Sequence, residues 1–288
     1  MSAAVSAYIP CFNNEATLPA AIQSVQGQTV APAEIIVIDD GSTDDSSRVA
    51  EKCGAKVIRQ GRNLGRGAAR ARAINEARND LVLGCDATVV LPDRFVELAL
   101  PYFKSDKVAA VCGHFVERRN DTVARRWQAR HLYKQDQPQQ LTRRASLFTA
   151  GSLLRRAHIL KAGNFNALLR HSEDSELGTR LLQAGYEVVN DPNLELECLQ
   201  TTSLARLLER YWRWYAGSNE QVSLSGYARL VWYSVRVMAR RDLRQGDAAS
   251  ALVSLLMPHN QFWRSVARSW TAPKRAPVAA APTIAGTT

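Results

Sequence analysis

Residues 34–46 read EIIVIDDGSTDDS, a run of β-branched residues that ends in two aspartates and a polar turn. A near-continuous Ile/Val run of this length is typical of a strand buried on both faces, as in a parallel sheet. Asp39 and Asp40 follow at the carboxyl end of that strand, the edge where open α/β sheets bind their ligands. The stretch therefore predicts a fold class and a site, although Asp-Gly-Ser-Thr alone is also an ordinary turn and helix start.

The surrounding segments continue the alternation of strands and helices. Residues 5–9 form another apolar run, and residues 17–26 carry Leu18, Ile22 and Val25 at helical spacing. Further strands are predicted at 56–58, 81–85 and 108–112, and a further helix at 67–77. This order predicts an α/β fold with a doubly wound, mainly parallel sheet and helices on both faces. Asp86 follows the strand at 81–85, so it is expected at the same edge as the two aspartates.

Composition and charge divide the chain further. The 288 residues are 46% hydrophobic and 22% charged, which excludes a wholly disordered or collagen-like chain. The net charge of the chain is +10. Residues 201–288 contribute +8 of it, because they contain twelve basic and four acidic residues. We predict an α/β domain with the site at 1–200, a basic helical extension at 201–271 and a disordered Ala/Pro/Thr-rich tail at 272–288.

The cysteines and the termini bear on the compartment. Five cysteines lie far apart without a CxxC pair, which favours reduced thiols and a cytoplasmic location. The N-terminus lacks the features of a signal peptide, and the longest apolar stretch, 248–257, is too short to span a bilayer. A peripheral position on the cytoplasmic membrane face stays open, because Trp and Arg residues alternate in the C-terminal segment.

Three more motifs follow in order along the chain. Residues 10–15 read PCFNNE, residues 63–70 read NLGRGAAR, and residues 86–88 read DAT. Together with residues 34–46, they resemble the inverting family 2 glycosyltransferases of the GT-A fold, over about residues 3–190. A nucleotidyltransferase is a weaker alternative, because such enzymes usually open with a Gly-rich basic loop after the first strand.

The resemblance implies a pocket for the nucleotide of a sugar donor. The residues carried over to that pocket are Pro10, Phe12, Asn13, Glu15 and Asp39. Asp40 is expected at the donor site too, where it braces the turn or Arg70. Arg66 and Arg70 are four residues apart on the predicted helix, so they share a face. They are expected to face the donor diphosphate or to pair with Asp40, and a solvated basic face is the alternative.

The third motif departs from the family pattern. In D-x-D, a carboxylate grips a divalent ion that neutralises the leaving diphosphate, and Asp86 is carried over as that Mn or Mg ligand. Thr88 stands where the second aspartate belongs, which puts the metal in doubt. Three interpretations remain open: a weaker metal site, an enzyme that relies on arginines, or a binding protein without activity.

The second half supplies the candidate base. Residues 171–181 read HSEDSELGTRL and are similar to the family's E-D-x-[ED]-L-x-x-R-L element. The resemblance implies that Asp174 deprotonates the acceptor and that Glu173 shapes the site. Acidic residues at an ordinary helix N-terminus, where they complement the helix dipole, are the alternative.

Other segments are assigned to the acceptor side. Gly151 and Ser152 form a predicted turn in the acceptor-side segment, and Arg213 with Trp214 matches part of a Q-x-x-R-W motif, with Arg210 in place of Gln. An interfacial Trp/Arg helix explains the latter stretch equally well.

The predicted activity is inverting transfer of a sugar from a nucleotide-sugar donor to a hydroxyl acceptor. A UDP-linked sugar is the predicted donor, and a lipid-linked or cell-surface glycan precursor is the predicted acceptor. The alternative is a catalytically silent nucleotide-sugar or glycan-binding module, which Thr88 motivates. The predicted partners include a membrane surface through the C-terminal helices and exclude nucleic acid, since no nucleic-acid-binding signature is present.

Overall fold

The computed structural model describes residues 4–200, 203–215 and 222–271, without the side chains of 213–215 and 268–271. The chain divides into two compact units, Met1–Trp214 and Tyr215–Thr288. The first unit thus extends beyond the predicted boundary at residue 200. The predicted disordered tail, 272–288, lies outside the described residues.

An eight-stranded sheet forms the centre of the first unit. Its strands are β1 (Val5–Cys11), β2 (Glu34–Asp39), β3 (Lys56–Arg59), β4 (Leu81–Cys85), β5 (Val89–Val90), β6 (Val108–Val116), β7 (Gly151–Arg155) and β8 (Glu187–Cys198). They are arranged in the order β3-β2-β1-β4-β7-β6-β8-β5. The first four neighbours are parallel, whereas β7 runs antiparallel to both β4 and β6. The α/β fold class is confirmed.

Helices cover both faces of this sheet. They are α1 (Leu18–Gln26), α2 (Ser46–Lys52), α3 (Arg66–Glu76), α4 (Phe95–Ala99), α5 (Val123–Trp127), α6 (Arg156–Lys161), α7 (Glu173–Gln183) and α8 (Leu204–Tyr215). Side chains alternate between the faces along a strand. Ile9 of β1 therefore packs with α1 and α4, while Tyr8 packs on the opposite face with α3 and α7.

Strand register brings the candidate motifs to one edge. Cys11 at the end of β1 pairs with Asp39 at the end of β2, and the Asp40 amide donates to the Cys11 carbonyl at 2.8 Å. Strand β4 runs parallel to β1, and Asp86 follows it. The three aspartates therefore lie beyond the carboxyl ends of adjacent strands, as the sequence predicts.

The predicted turn at Gly151 and Ser152 is wrong, because both residues belong to β7. Gly151 pairs with Cys85 and Ser152 with Gly84, and both are buried. A Cβ on Gly151 would lie 2.5 Å from Leu196 Cδ2, so packing against β8 explains the glycine. The strands beside β7 come from distant parts of the sequence, and no local pattern shows them.

The helix with the partial Q-x-x-R-W motif, α8, packs inward. Tyr211 and Trp212 are buried, and the Tyr211 ring meets Trp127 edge-on with centroids 5.4 Å apart. The interfacial interpretation is therefore wrong for these two aromatic residues. Arg210 is buried as well and donates to the Tyr133 hydroxyl at 3.2 Å.

The second unit is helical. Helix α9 (Leu224–Tyr233) continues through a π-helical segment (Ser234–Ala239) into α10 (Arg240–Arg244). The chain then turns at Gly246, whose φ is +72°, and forms α11 (Ala248–Thr271). Across the described ranges of the chain, no helix is both long and apolar enough to cross a bilayer.

Candidate active site

The first two acidic turns form one hydrogen-bonded rim. Asn13 has a left-handed backbone, with φ at 53°, and its amide donates to the Ser42 hydroxyl at 3.0 Å. Its side-chain oxygen accepts from the Thr43 amide at 2.8 Å. Glu15 accepts from the Asp45 amide at 2.9 Å. The predicted nucleotide residues of the two turns are thus held together, with Phe12 exposed beside them and Pro10 within β1.

Asp39 and Asp40 both brace backbone in this structure. The Asp39 carboxylate accepts from the Ser42 amide at 2.9 Å and from the Ser47 hydroxyl. Asp40 is buried and accepts from the amides of Leu64 and Gly65 at 2.7 and 2.8 Å. Asp40 therefore fixes the loop before α3, and the predicted alternative that it pairs with Arg70 is wrong.

Arg70 instead joins two other carboxylates. One terminal nitrogen donates to Asp86 Oδ1 at 2.7 Å, and the other donates to Glu173 Oε1. The side chains of Arg70 and Glu173 are each 2% exposed, whereas that of Asp86 is 25% exposed. A buried guanidinium is tolerated when it is paired and hydrogen-bonded in this way. The bridge ties the end of β4 to the start of α7, so two motifs about ninety residues apart in the sequence meet.

Asp174 lies next to this bridge. It is the second residue of α7, which begins after Ser172 in the left-handed conformation with φ at 60°. Its Oδ1 accepts from the Ser175 amide at 2.8 Å, and the side chain is half-buried. Its negative charge contributes to the raised pKa values of Tyr8 and Arg70. The position suits a base beside the carboxyl end of β4, and it also places an acid at a helix N-terminus.

Arg66 is the exposed cation of the same helix face. It begins α3, one turn before Arg70, and its guanidinium makes no hydrogen bond or ion pair within the described part of the chain. The side chain reaches water, yet the protein around it desolvates the guanidinium and lowers its pKa, while Asp86 raises it. Arg66, unlike Arg70, is therefore available to an anionic ligand.

Tyr8 is a site residue that the sequence analysis missed. Its hydroxyl is buried within reach of the Arg70 charge and lies over Gly84, where a Cβ would be 2.8 Å from it. Burial raises the pKa of Tyr8, so the phenol is neutral at physiological pH. The signal in the sequence was a polar aromatic residue within the apolar run 5–9.

A metal fits this site through a single protein ligand. Asp86 offers one carboxylate, and one of its oxygens already accepts from Arg70. Within the described ranges, no group of three or more His, Cys, Asp or Glu side chains could hold a metal ion. Mg²⁺ often binds through one or two carboxylates and takes its remaining ligands from phosphate and water. Such a shared site is compatible with Asp86, and a closed protein cage is not.

The other residues predicted on the acceptor side belong to β7, α7 and α8. Gly151 and Ser152 lie inside the sheet beside β4, and both are buried. Glu173 shapes the site through Arg70. Arg213 and Trp214 lie in α8, and their side chains are outside the described residues. Their roles at an acceptor stay predictions.

The eight-stranded mixed sheet and the helices that pack on it define a GT-A-like α/β protein. The family model "Glycosyl transferase family 2" matches residues 6–172, more than half of the chain. The chain belongs to glycosyl transferase family 2, a family of glycosyltransferase enzymes. The resemblance seen in the sequence is thereby confirmed.

Curated relatives share the first part of the chain. A cholesterol galactosyltransferase of Borreliella burgdorferi is 35% identical over 115 residues, which is 38% of this chain and 32% of that protein. An undecaprenyl-phosphate 4-deoxy-4-formamido-L-arabinose transferase of Pseudomonas paraeruginosa is 33% identical over 139 residues, 44% of this chain and 39% of that protein. The matches span about a third to two fifths of these relatives.

Solved structures show the same fold. A mannosyltransferase from Pyrobaculum calidifontis, in complex with GDP-Man and Mn²⁺, aligns with a TM-score of 0.65 at 15% identity, covering 95% of this chain and 89% of that one. TarS 1-349 from S. aureus, in complex with UDP, aligns with a TM-score of 0.56 at 14% identity, covering 96% and 94%. At these identities the likeness concerns the fold alone.

Proposed function

We propose that this protein transfers a sugar, with inversion, from a UDP-linked donor to a hydroxyl of a lipid-linked or cell-surface glycan precursor. The observation that carries the proposal is the buried bridge from Asp86 through Arg70 to Glu173. It sets Asp174 beside the strand end to which the sequence motifs assign the donor. A cleft with a donor-side carboxylate and a separate acceptor-side carboxylate is what an inverting displacement needs.

In this mechanism the acceptor oxygen attacks the anomeric carbon on the face opposite the leaving group. The new carbon–oxygen bond forms as the bond from the anomeric carbon to the phosphate oxygen breaks. The nucleoside diphosphate leaves with that electron pair, and Asp174 takes the hydroxyl proton. Arg66 stabilises the charge that develops on the diphosphate, because its guanidinium is exposed and has no ion-pair partner among the described residues. A Mn or Mg ion held by Asp86 would supply further positive charge there.

The relatives described above support the choice of substrates. The cholesterol and undecaprenyl-phosphate transferases are named for lipid acceptors, and the TarS structure contains UDP. We extend the proposal to a cytoplasmic protein with a peripheral position at the membrane, where a lipid-linked acceptor would be met.

Substitution of the proposed base is the first test. Asp174→Asn should lower the rate of sugar transfer by about 100-fold or more, the usual worth of a general base. It should leave donor binding intact, because Asp174 lies on the acceptor side. Transfer is measured with radiolabelled UDP-sugars and a lipid-linked acceptor mixture. Glu176→Gln, in the same helical turn, is the control and should stay within about tenfold.

Near-normal turnover of Asp174→Asn would show that another group takes the proton. Thermal unfolding with a panel of UDP, GDP and their sugars, with and without Mn²⁺, then identifies the donor, since a bound ligand raises the midpoint. Nucleotide binding without transfer or donor hydrolysis under any metal would favour the silent binding module that Thr88 suggests.

A further inference from the structure

The second unit has a polar seam between its helices. Ser234 donates to the Ser254 carbonyl at 2.5 Å, and Ser254 donates to Asp242 Oδ2 at 2.6 Å. Both bonds join the α9–α10 helix to α11. The other buried polar residues of the seam are Ser250, Gln261 and Ser265. Small and polar side chains thus form much of the contact between the two helices.

The outward side of α11 is apolar. Leu252, Leu256 and Trp263 are 64%, 52% and 68% exposed, and Leu255 is exposed beside them. On a helix these positions share one side, opposite Ser250, Ser254 and Gln261 of the seam. We call these four apolar side chains the outer face. A helix pair in water normally buries its large apolar residues and exposes its serines. In this pair, serines share the buried side of α11 with Val253 and Met257, while three leucines and a tryptophan are exposed, and small polar residues between helices are typical of helices that pack in lipid.

Aromatic and basic side chains accompany the outer face. Trp232 and Tyr233 of α9 are also exposed, and such amphipathic rings are favoured at the membrane interface. The exposed charged side chains described in this unit are all arginines: Arg229, Arg236, Arg240, Arg244 and Arg264. Its two described acids are occupied within the unit, Asp242 by Ser254 and Asp247 by Ser250. The unit therefore presents positive charge beside apolar surface.

We propose that the second unit docks on an anionic phospholipid surface, inserting the outer face of α11 at the headgroup boundary without crossing the bilayer. Interfacial helices bind a membrane through apolar side chains that enter the lipid and through basic side chains that contact the lipid phosphates. A second copy of the chain would bring like arginines together, and nucleic acid would use the arginines but leave the leucines in water. This inference deepens the proposed membrane position and does not depend on sugar transfer.

Co-sedimentation of the full chain with vesicles tests the proposal. Vesicles rich in phosphatidylglycerol should bind the protein, phosphatidylcholine vesicles should bind it more weakly, and about 1 M salt should reduce binding by screening. Leu252→Ser and Trp263→Ser should each weaken binding about tenfold, the factor expected when one large side chain no longer enters the apolar layer. Arg236→Gln should weaken binding to the anionic vesicles alone.

Matched variants separate this effect from misfolding. Leu141 in the first unit is 46% exposed, similar to Leu256, and Leu141→Ser should leave vesicle binding unchanged. Arg78→Gln serves the same purpose for charge, since that side chain is 79% exposed. Trp263→Phe keeps an apolar ring and should retain binding, while quenching of tryptophan emission by brominated lipid decreases. Each variant must keep the thermal midpoint of the parent protein.

Three results would overturn the proposal. The first is absence of co-sedimentation with anionic vesicles. The second is vesicle binding that Leu252→Ser and Leu141→Ser affect equally. The third is a dimer in solution that Leu252→Ser dissociates while vesicle binding is absent, which would assign the outer face to a second copy. Nucleotide binding by the first unit is measured in parallel, so that loss of the proposed transfer activity is scored separately from loss of docking.

Discussion

Arg70 shows how one residue organises the site. Its chemistry follows from the NLGRGAAR motif, but its partners do not, because Asp86 and Glu173 lie 16 and 103 residues away. Because one guanidinium pairs with two carboxylates, Arg70, Asp86 and Glu173 together carry one net negative charge. Arg66 is therefore the arginine of α3 that could bind an anionic ligand, while Arg70 has a structural role. The sequence alone did not show which arginine has which role.

Arg70→Lys should destabilise the protein strongly. A lysine cannot present two parallel donors to Asp86 and Glu173, so one buried carboxylate loses its partner. We expect the free energy of unfolding to fall by about 3–5 kcal/mol, as when buried pairs are broken. Urea unfolding measures it. Arg72→Lys is the control on the same helix, since its pair with Glu76 is exposed and should cost at most about 1 kcal/mol.

The double variant Arg70→Lys, Glu173→Gln refines this test. A neutral amide at 173 needs no counter-charge, so part of the lost stability should return. If the double variant is as unstable as the sum of the two single variants, the bridge is not the source of the effect.

At the scale of elements, α3 depends on a loop from the second half of the chain. The Gly67 amide donates to the Leu169 carbonyl at 3.1 Å, and the loop continues into α7. A Cβ on Gly67 would lie 2.2 Å from the Asn166 carbonyl oxygen. The glycine is therefore required by the close approach of two backbones, and the loop is fixed just before Glu173 and Asp174.

Gly67→Ala should disturb both stability and activity. Because the clash is with backbone, the loop must move, and we expect a loss of about 1–3 kcal/mol in the free energy of unfolding together with slower sugar transfer. Gly226→Ala in α9 is the matched control, since its Cβ would meet side-chain atoms only, the Ser223 hydroxyl at 3.2 Å and Val222 Cγ1 at 3.7 Å, and alanine favours helix. Equal behaviour of the two variants would argue against the tight loop contact.

At the scale of the whole molecule, the buried thiols report on the core. Burial raises the pKa of Cys11 to about 11 and that of Cys112 to about 12, and it also raises the pKa of Cys85. All three lie in the central strands and are reduced. The folded chain therefore keeps these thiols protonated at pH values where the unfolded chain ionises them.

The free energy of unfolding should fall as the pH rises above about 9, the ordinary pKa of a thiol. Above that pH the folded state binds more protons than the unfolded state, so alkali favours unfolding. The loss should be about 1 kcal/mol per thiol for each pH unit up to the folded pKa. Urea unfolding between about pH 8 and 10 measures the slope. Cys112→Ala should make the slope shallower, and an unchanged slope would contradict this account.

Much of the first half of the molecule could be predicted from the sequence. Strands β1 to β4, helices α1 and α3 and the positions of Asp39, Asp40 and Asp86 at strand ends all followed from local patterns, because buried parallel strands and helices have their own periodicities. Four motifs that follow one another along the chain also indicated the resemblance to family 2. Strand β7 and the short strand β5 could not be predicted in this way, since their pairing partners lie far away in the sequence.

The sequence by itself determined the fold class, the family and the chemical types of the site residues. The tertiary structure decided which charges meet: Arg70 with Asp86 and Glu173, Asp40 with the loop before α3, and Arg66 with no described partner. It also decided that the leucines of α11 face outward and its serines inward. The physical reason is that residue type sets what a side chain can bind, while long-range packing sets which groups come within a few ångströms of each other.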